Sequence, residues 1–384
     1  MRQPVADNAI AKNRAALPRG DVPRNRSGNT SKFSLVLVDT LERSSSEKPA
    51  DALLTVSEAK SENPWTRKTR DSERLAAESK PHIDRVVAYT RRLRPQYKWR
   101  KTLGFFLDAM AHAGLYKEWF DYVEGEFPKA ALPNSASRII EIPSLRYIRR
   151  WFSTQEKMRL IRGHHNSFSA LFSPEALRLL DHESGALLAE LTGKSGHKYK
   201  IILQQNTTKE GEIAVRFIDT EQDIALATIR GTFGLEARGR RIFWIGSLQG
   251  PRPPSGRDII STATRDLNTL RPKQAALEAV CALCAWMDVG TIYAPSKKNH
   301  VSQRWRGILK RQKIFADYDK FWEEYSVQKT PQGDFQLSLP LPRRKREEVP
   351  SKRRTEWVRR YARIDALNES TATALSALRF PTNS

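Results

Sequence analysis

A chain of 384 residues is long enough for one large domain with an extension, or for two domains. Its 66 Lys and Arg against 43 Asp and Glu give a net charge of +23. A field of that sign draws polyanions: nucleic acid, an anionic lipid surface or an acidic carrier protein. Two cysteines exclude a disulfide framework, and a hydrophobic content of 39% places part of the chain outside any core.

The part outside the core comes first. Residues Met1 to Lys32 lack apolar periodicity and are rich in Asn, Arg, Pro and Ser, and Arg43 to Lys80 continue in that vein. Residues 1–82 are therefore expected to form a largely disordered basic and polar extension. The apolar run Phe33 to Val38 is far shorter than the ~20 residues that cross a bilayer. No secretory signal is ordered near Met1. A soluble, cytoplasmic protein is expected, with contact at the inner membrane surface as its peripheral option.

Helical spacing begins at Ile83 to Arg94 and returns over Thr102 to Val123, where Phe105, Ala109, His112, Leu115 and Trp119 share a face. Residues 83–142 are expected to be a helical segment packed on a main domain at 143–370, with a tail at 371–384. Ser144 to Arg162 predicts a third amphipathic helix carrying Leu145, Ile148, Trp151 and Phe152, and Ser173 with Pro174 predicts the capped start of a fourth. Short β-prone runs follow at Leu187–Leu191, Tyr199–Gln204, Ile213–Ile218, Ile224–Thr232 and Ile242–Leu248. A long apolar helix (Lys273 to Asp288), a strand (Thr291 to Ala294), a mostly helical stretch to Tyr325, a last strand (Phe335 to Leu339) and a basic helix complete the chain. Antiparallel strands, a buried helix and another strand predict an α+β fold: a mostly antiparallel sheet with a central helix, a helical N-terminal part and a basic C-terminal helix.

Chemistry gathers between Ile245 and Arg304. The strand ending at Leu248 empties into Gln249, Gly250 and Pro251; the strand ending at Ala294 empties into a loop holding Ser296, Asn299, His300 and Arg304. Polar groups just past strand ends are how such folds build sites. His300, among cations that keep it neutral, is the candidate proton acceptor, with Asn299 and Tyr318 as candidate companions and Asp317 beside Tyr318. Loop hydrogen bonding is the alternative role for Asn299 and His300. Arg271 and Lys273 flank Pro272 at a helix start, where two cations oppose the helix dipole and an anionic ligand would relieve them. Gln249, Gly250, Arg271, Lys273, Ser296 and Arg304 are therefore the candidate ligand-binding set, and Gln249, Arg271, Lys273, Asn299 and His300 are expected to line one pocket. His164 and His165 are expected at a helix end, with the helix dipole as their bland explanation. Cys281 and Cys284 lie inside an apolar run without two further zinc ligands, so they are expected to be core thiols rather than a metal site. Trp357 and Tyr361 give the basic tail an aromatic face that either docks on the domain or meets lipid or nucleic acid.

Five segments together carry a family resemblance. PSLRYIRRWFSTQEKMRLIRGHH from Pro143, IGSLQGP from Ile245, LRPKQAALEAVCALCAWMDVG from Leu270, IFADYDKFWEEYS from Ile314 and VPSKRRTEWVRRYARIDAL from Val349 resemble the VirK/YbjX family of bacterial proteins in order, from about Pro143 to Leu367. That resemblance implies a role in virulence, envelope integrity or resistance to cationic peptides, and supplies no reaction. The element order is also similar to the acyl-CoA-dependent N-acetyltransferases, which implies an acyl donor meeting its acceptor where neighbouring strands splay, near Gln249. LNTLRPKQAA replaces the glycine-rich loop that wraps the pyrophosphate of coenzyme A in those proteins. The cofactor is thus left unassigned, and an acyl carrier protein suits the charge. An acyltransferase-like enzyme, a nucleic-acid-binding post-transcriptional regulator and a non-catalytic membrane-surface adaptor are the three functional classes that remain.

Overall fold

The computed structural model describes residues 81–95, 99–236, 239–251, 256–301, 318–325 and 327–380. Residues 1–80 of the expected disordered extension, with the Phe33 to Val38 run, and Arg304, Asp317 and the last four residues lie outside them, whereas its last two, Pro81 and His82, are helical.

Residues 81–93 form helix α1. The helix expected over Thr102 to Val123 is two helices, α2 (Trp99–Ala111) and α3 (Ala113–Asp121), separated at His112, whose φ of −119° and ψ of 44° leave the helical region. Phe105, Ala109, Tyr116, Trp119 and Phe120 are buried and join the main core, whereas His112 is exposed. A short helix, α4 (Pro133–Ala136), follows.

The helix expected over Ser144 to Arg162 is displaced. Residues 145–153 are irregular, with Ile148 at a φ of 53°, and the helix is α5 (Thr154–Leu171). Its start is dictated by a capping box: the Ser153 hydroxyl accepts from Glu156 N–H at 3.2 Å while the Glu156 carboxylate accepts from Ser153 N–H at 2.8 Å. Helix α6 (Pro174–Asp181) starts as its sequence predicts, with the Ser173 hydroxyl accepting from Ala176 N–H.

The sheet has eight strands in the order β1-β2-β3-β4-β5-β6-β8-β7. The first five, β1 (Ala186–Thr192), β2 (Lys198–Thr208), β3 (Gly211–Asp219), β4 (Ile224–Leu235) and β5 (Arg241–Gln249), pair antiparallel in chain order. The chain then leaves the sheet through α7 (Gly256–Asp266), which its sequence does not announce, and α8 (Pro272–Trp286). It returns as β6 (Thr291–Ala294), parallel to β5. A parallel neighbour requires such a crossover, and an apolar helix suits it because both its faces are covered. α8 packs on β3 and β4 beneath α10 (Arg354–Ala377), and its alanines at 275, 276 and 279 are wholly buried. After helix α9 (Tyr318–Glu323), strands β7 (Gln328–Lys329) and β8 (Phe335–Ser338) close the sheet, with β8 antiparallel to β6.

Candidate functional site at the parting of β5 and β6

β5 and β6 are paired over Ile242 to Trp244 only. β6 ends at Ala294, while β5 runs on to Gln249 with β4 as its partner. Past Trp244 and Tyr293 the pairing ends, and the loop after β6 places His300 against β5 at Gly246. The His300 imidazole bonds to the backbone of Gly246 and is only 4% exposed. Burial holds it below its ordinary value and Lys209 adds to that, against the Gly246 bond and the opposing charge of Glu210. His300 is therefore neutral at physiological pH.

The neighbouring loop residues are held by hydrogen bonds. The Asn299 amide donates to Asp334 Oδ1 at 2.7 Å and to the Gln332 carbonyl at 2.9 Å, and Ser296 N–H points to the same carboxylate. Asp334, wholly buried, also pairs with Arg149 Nε at 3.2 Å. Arg149 in turn forms a β-bridge with His300, and Arg150 N–H donates to the Asn299 carbonyl. The irregular segment that displaced the expected helix thus stitches the post-β6 loop to the rest of the sheet. Ile148 N–H, donating to the Lys209 carbonyl, ties it to the β2–β3 hairpin.

Glu210, at the tip of that hairpin, is the residue on which the site converges. Its Oε2 accepts from Ser247 Oγ at 2.9 Å and from Gln249 Nε2 at 2.8 Å, with Arg230 Nε at 3.9 Å. The hairpin can sit this close because residue 246 is glycine: a Cβ there would stand 2.0 Å from the Glu210 carbonyl oxygen. Gln249 and Glu210 line a cavity of about 460 Å³ together with Lys101, Arg138, Lys209 and Arg230. Glu210 and its role escape a search for strand-end residues, because it lies on a distant hairpin; the glycine within RIFWIGSL is the one local signal of close backbone approach.

The other expected ligand residues separate. Lys273 lies near Gly250, whose added Cβ would be 3.8 Å from Lys273 Cε, and burial with the Arg271 charge lowers its pKa. Arg271 is answered from within the fold: both its terminal nitrogens bond the Glu324 carboxylate, and its guanidinium lies 5.8 Å from the Phe321 ring centroid. Glu324 relieves the crowding of cations at the α8 start that suggested an anion there. Arg271, Lys273, Asn299 and His300 are not among the residues lining the Gln249 cavity. Gln249 bonds Glu210, whose charge also acts on His300, while Arg271 belongs to a separate ion pair. Tyr318 opens α9, and Arg304 lies outside the described residues.

His164 and His165 are not at a helix end. They lie in the middle of α5, wholly buried. His165 Nε2 bonds Glu212 Oε2 at 3.1 Å, and the same carboxylate accepts from Thr207 Oγ1 at 2.6 Å and Tyr147 Oη at 2.8 Å. Burial alone would raise Glu212, but the bonds from His165 and Thr207 leave it below its ordinary value. His164, between Gln205 and Phe233, is pushed down to about 3 by burial. The helix-dipole explanation fails because the capping box moves the helix forward, carrying both histidines from its end into the core.

Cys281 and Cys284 are buried thiols pushed up by desolvation, and among the described residues no group of three or more His, Cys, Asp or Glu could hold a metal ion. Tyr361 is buried, and Trp357, whose ring centroid lies 4.9 Å from that of Tyr361, packs against the core, so the aromatic face of α10 is docked. Among the described residues no helix is long and apolar enough to cross a membrane.

These features define a mixed α/β protein with a mostly antiparallel sheet, helices in its N- and C-terminal parts and a polar site where its parallel pair parts. The chain matches the model of a family described as protein of unknown function (DUF535) over residues 95–373, and it belongs to that family. The match takes in α2 and α3, ahead of the Pro143 boundary at which the resemblance was legible. It is 32% identical over 230 residues to the uncharacterized protein YbjX of Escherichia coli K12, covering 59% of this chain and 69% of that one. It is 27% identical over 128 residues to an uncharacterized protein of Haemophilus influenzae, covering 32% of this chain and 40% of that one. Among solved structures, a cAMP-binding acyltransferase from Mycobacterium smegmatis is similar at a TM-score of 0.24 and 9% identity, over 50% of this chain and 56% of that one.

Proposed function

We propose that the chain transfers an acyl group at the parting of β5 and β6, with His300 and Glu210 taking up the acceptor's proton. The placement of His300 carries this reading: a neutral imidazole on the loop after one strand, bonded to the backbone of its parallel neighbour and within the field of the Glu210 carboxylate. Such an imidazole can accept a proton near neutral pH, and the carboxylate stabilises the cation that forms. In the reaction an amine or hydroxyl acceptor adds to a thioester carbonyl, the C–S bond breaks, and the departing thiolate takes the proton that the acceptor gave up. Gln249 and Glu210, which line the adjacent cavity, mark the approach of the acceptor.

The donor best suited to this surface is an acyl group on an acidic carrier protein. Pro272 removes an N–H from the start of α8 and Arg271 is occupied by Glu324, so that helix start lacks the phosphate grip that coenzyme A would need. A net charge of +23 attracts an acidic carrier at long range. The resemblance to the VirK/YbjX family supports seeking such a reaction in envelope integrity, resistance to cationic peptides or virulence. The test is thiol release from acyl carrier protein and from acyl-CoA, using the full chain. Release from the carrier-bound donor is expected, and His300→Gln should slow it by about 10²–10⁴-fold while thermal unfolding stays close to that of the parent. Equal rates in parent and variant, or no release from either donor, would remove the proposal.

A further inference from the structure

A second cavity, of about 660 Å³, lies between the α4 region and the face of strands β2 to β4. Its volume suits a small-molecule ligand. Its lining is polar throughout apart from Ala225, and three arginines enter it: Arg138, Arg216 and Arg230.

The sheet register dictates that two of them stand together. Ala214 pairs with Arg230 and Arg216 with Thr228, so Arg216 and Arg230 leave the same face of adjacent strands in diagonal positions. Neither is fully solvated: both are of intermediate burial, and Arg230 Nη1 is buried without a hydrogen-bond partner among the described residues. The nearest carboxylate to Arg230, Glu210, stands off at 3.9 Å and is already engaged by Ser247 and Gln249. Among the described residues Arg138 and Arg216 form no ion pair. Burial and the charges of Arg216 and Arg138 press Arg230 below its ordinary value, against the pull of Glu210. Arg216 thus repels Arg230 from the adjacent strand, and Glu210, already held by Ser247 and Gln249, offsets that charge less directly than Glu324 offsets Arg271.

The other wall has a different character. Asp181 is consumed structurally, accepting from Asn134 N–H and from the Ser135 backbone and hydroxyl. Glu183 and Asn206 remain to meet a ligand's hydroxyl groups, and Gln204, whose Nε2 donates to the His182 and Glu183 carbonyls, offers its Oε1 beside them. A fatty or aromatic ligand would find almost no apolar wall.

We propose that this cavity binds a phosphorylated sugar, its phosphoryl group held by Arg216, Arg230 and Arg138 and its hydroxyls turned toward Glu183, Gln204 and Asn206. Planar guanidinium groups match phosphate oxygens two at a time, which is the recognition a cluster of arginines supplies. This site does not depend on acyl transfer: a sugar phosphate can bind here whether or not a thioester reacts beside His300.

The experiment is isothermal titration calorimetry of the full chain with a panel of hexose 1- and 6-phosphates, inorganic phosphate, and glucose. At least one hexose phosphate is expected to bind about tenfold or more tightly than inorganic phosphate, and glucose to bind weakly or not at all. Arg138→Ala, an exposed position whose loss spares the fold, and Arg216→Gln should each weaken the hexose phosphate about tenfold. Binding of no hexose phosphate would overturn the proposal, as would equal affinity for inorganic phosphate or unchanged affinity in both arginine variants.

Discussion

His164 provides a pH-dependent stability whose size follows from its surroundings. Its Nδ1 accepts from Phe233 N–H at 3.3 Å and its Nε2 donates to Gln205 Oε1 at 3.2 Å, so the neutral ring uses both nitrogens. A second proton would have to sit against an N–H donor in a wholly buried place between the Phe168 and Phe233 rings. Burial accordingly lowers its pKa from 6.5 to about 3. The unfolded chain takes up this proton below about pH 6.5, and the folded chain does not until about pH 3. Stability is therefore fully present above 6.5 and lost as pH falls through that window, at about 1.4 kcal/mol per pH unit. Between pH 7.5 and 4.5 the loss from this one group integrates to about 2–3 kcal/mol. Urea unfolding at half-unit pH steps measures it, compared with His164→Asn so that all other titrations cancel. The variant should be less stable at pH 7.5 by about 1–3 kcal/mol, because Gln205 loses its donor. That gap should shrink by about 2–3 kcal/mol at pH 4.5. A gap that stays constant across the range would refute the reasoning.

Glu212→Ala should cost about 3–5 kcal/mol in urea unfolding, because it strands the buried donors of His165, Thr207 and Tyr147; Glu212→Gln, which keeps an acceptor, should cost less. Gly246→Ala should destabilise by about 2 kcal/mol or more, since its Cβ and the Glu210 backbone cannot both stay in place, and a crystal structure of the variant should show the β2–β3 hairpin displaced. Arg271→Ala should change stability by no more than about 1 kcal/mol, because its partner Glu324 is exposed and screened by solvent. Cys281 and Cys284 should react with a thiol reagent only after denaturant is added, and rapid labelling of the native protein would contradict their burial.

Much of the architecture is written locally. The alternation of β-prone runs and turns specifies the antiparallel strands, because turn residues end each run within a few positions, even where both faces are covered as in β3 and β5. The apolar stretch from Lys273 is legible as a buried helix, and the strand at Thr291–Ala294 falls where its β-branched and aromatic residues place it. Pro174 and Ser173 announce α6 for the same reason: caps act within three or four residues. Ser153 and Glu156 announce α5 just as locally, and the amphipathic pattern upstream of them merely masks the signal.

What only the tertiary structure decides is which distant groups become neighbours. Glu210 meets Ser247, Gln249 and Arg230 across a hairpin-to-strand contact that depends on Gly246 having no side chain. Asp334 joins Arg149, far away in sequence, to Asn299 on the loop after β6. Arg271 finds Glu324 across the chain, and His165 finds Glu212 across a helix–sheet interface. The sequence determines strands, helices and the burial of their faces through interactions within a few residues. Charge pairing, pKa and the convergence of a site depend on distances through space, and those exist only once the crossover through α8 and the register of β2 to β6 have set them.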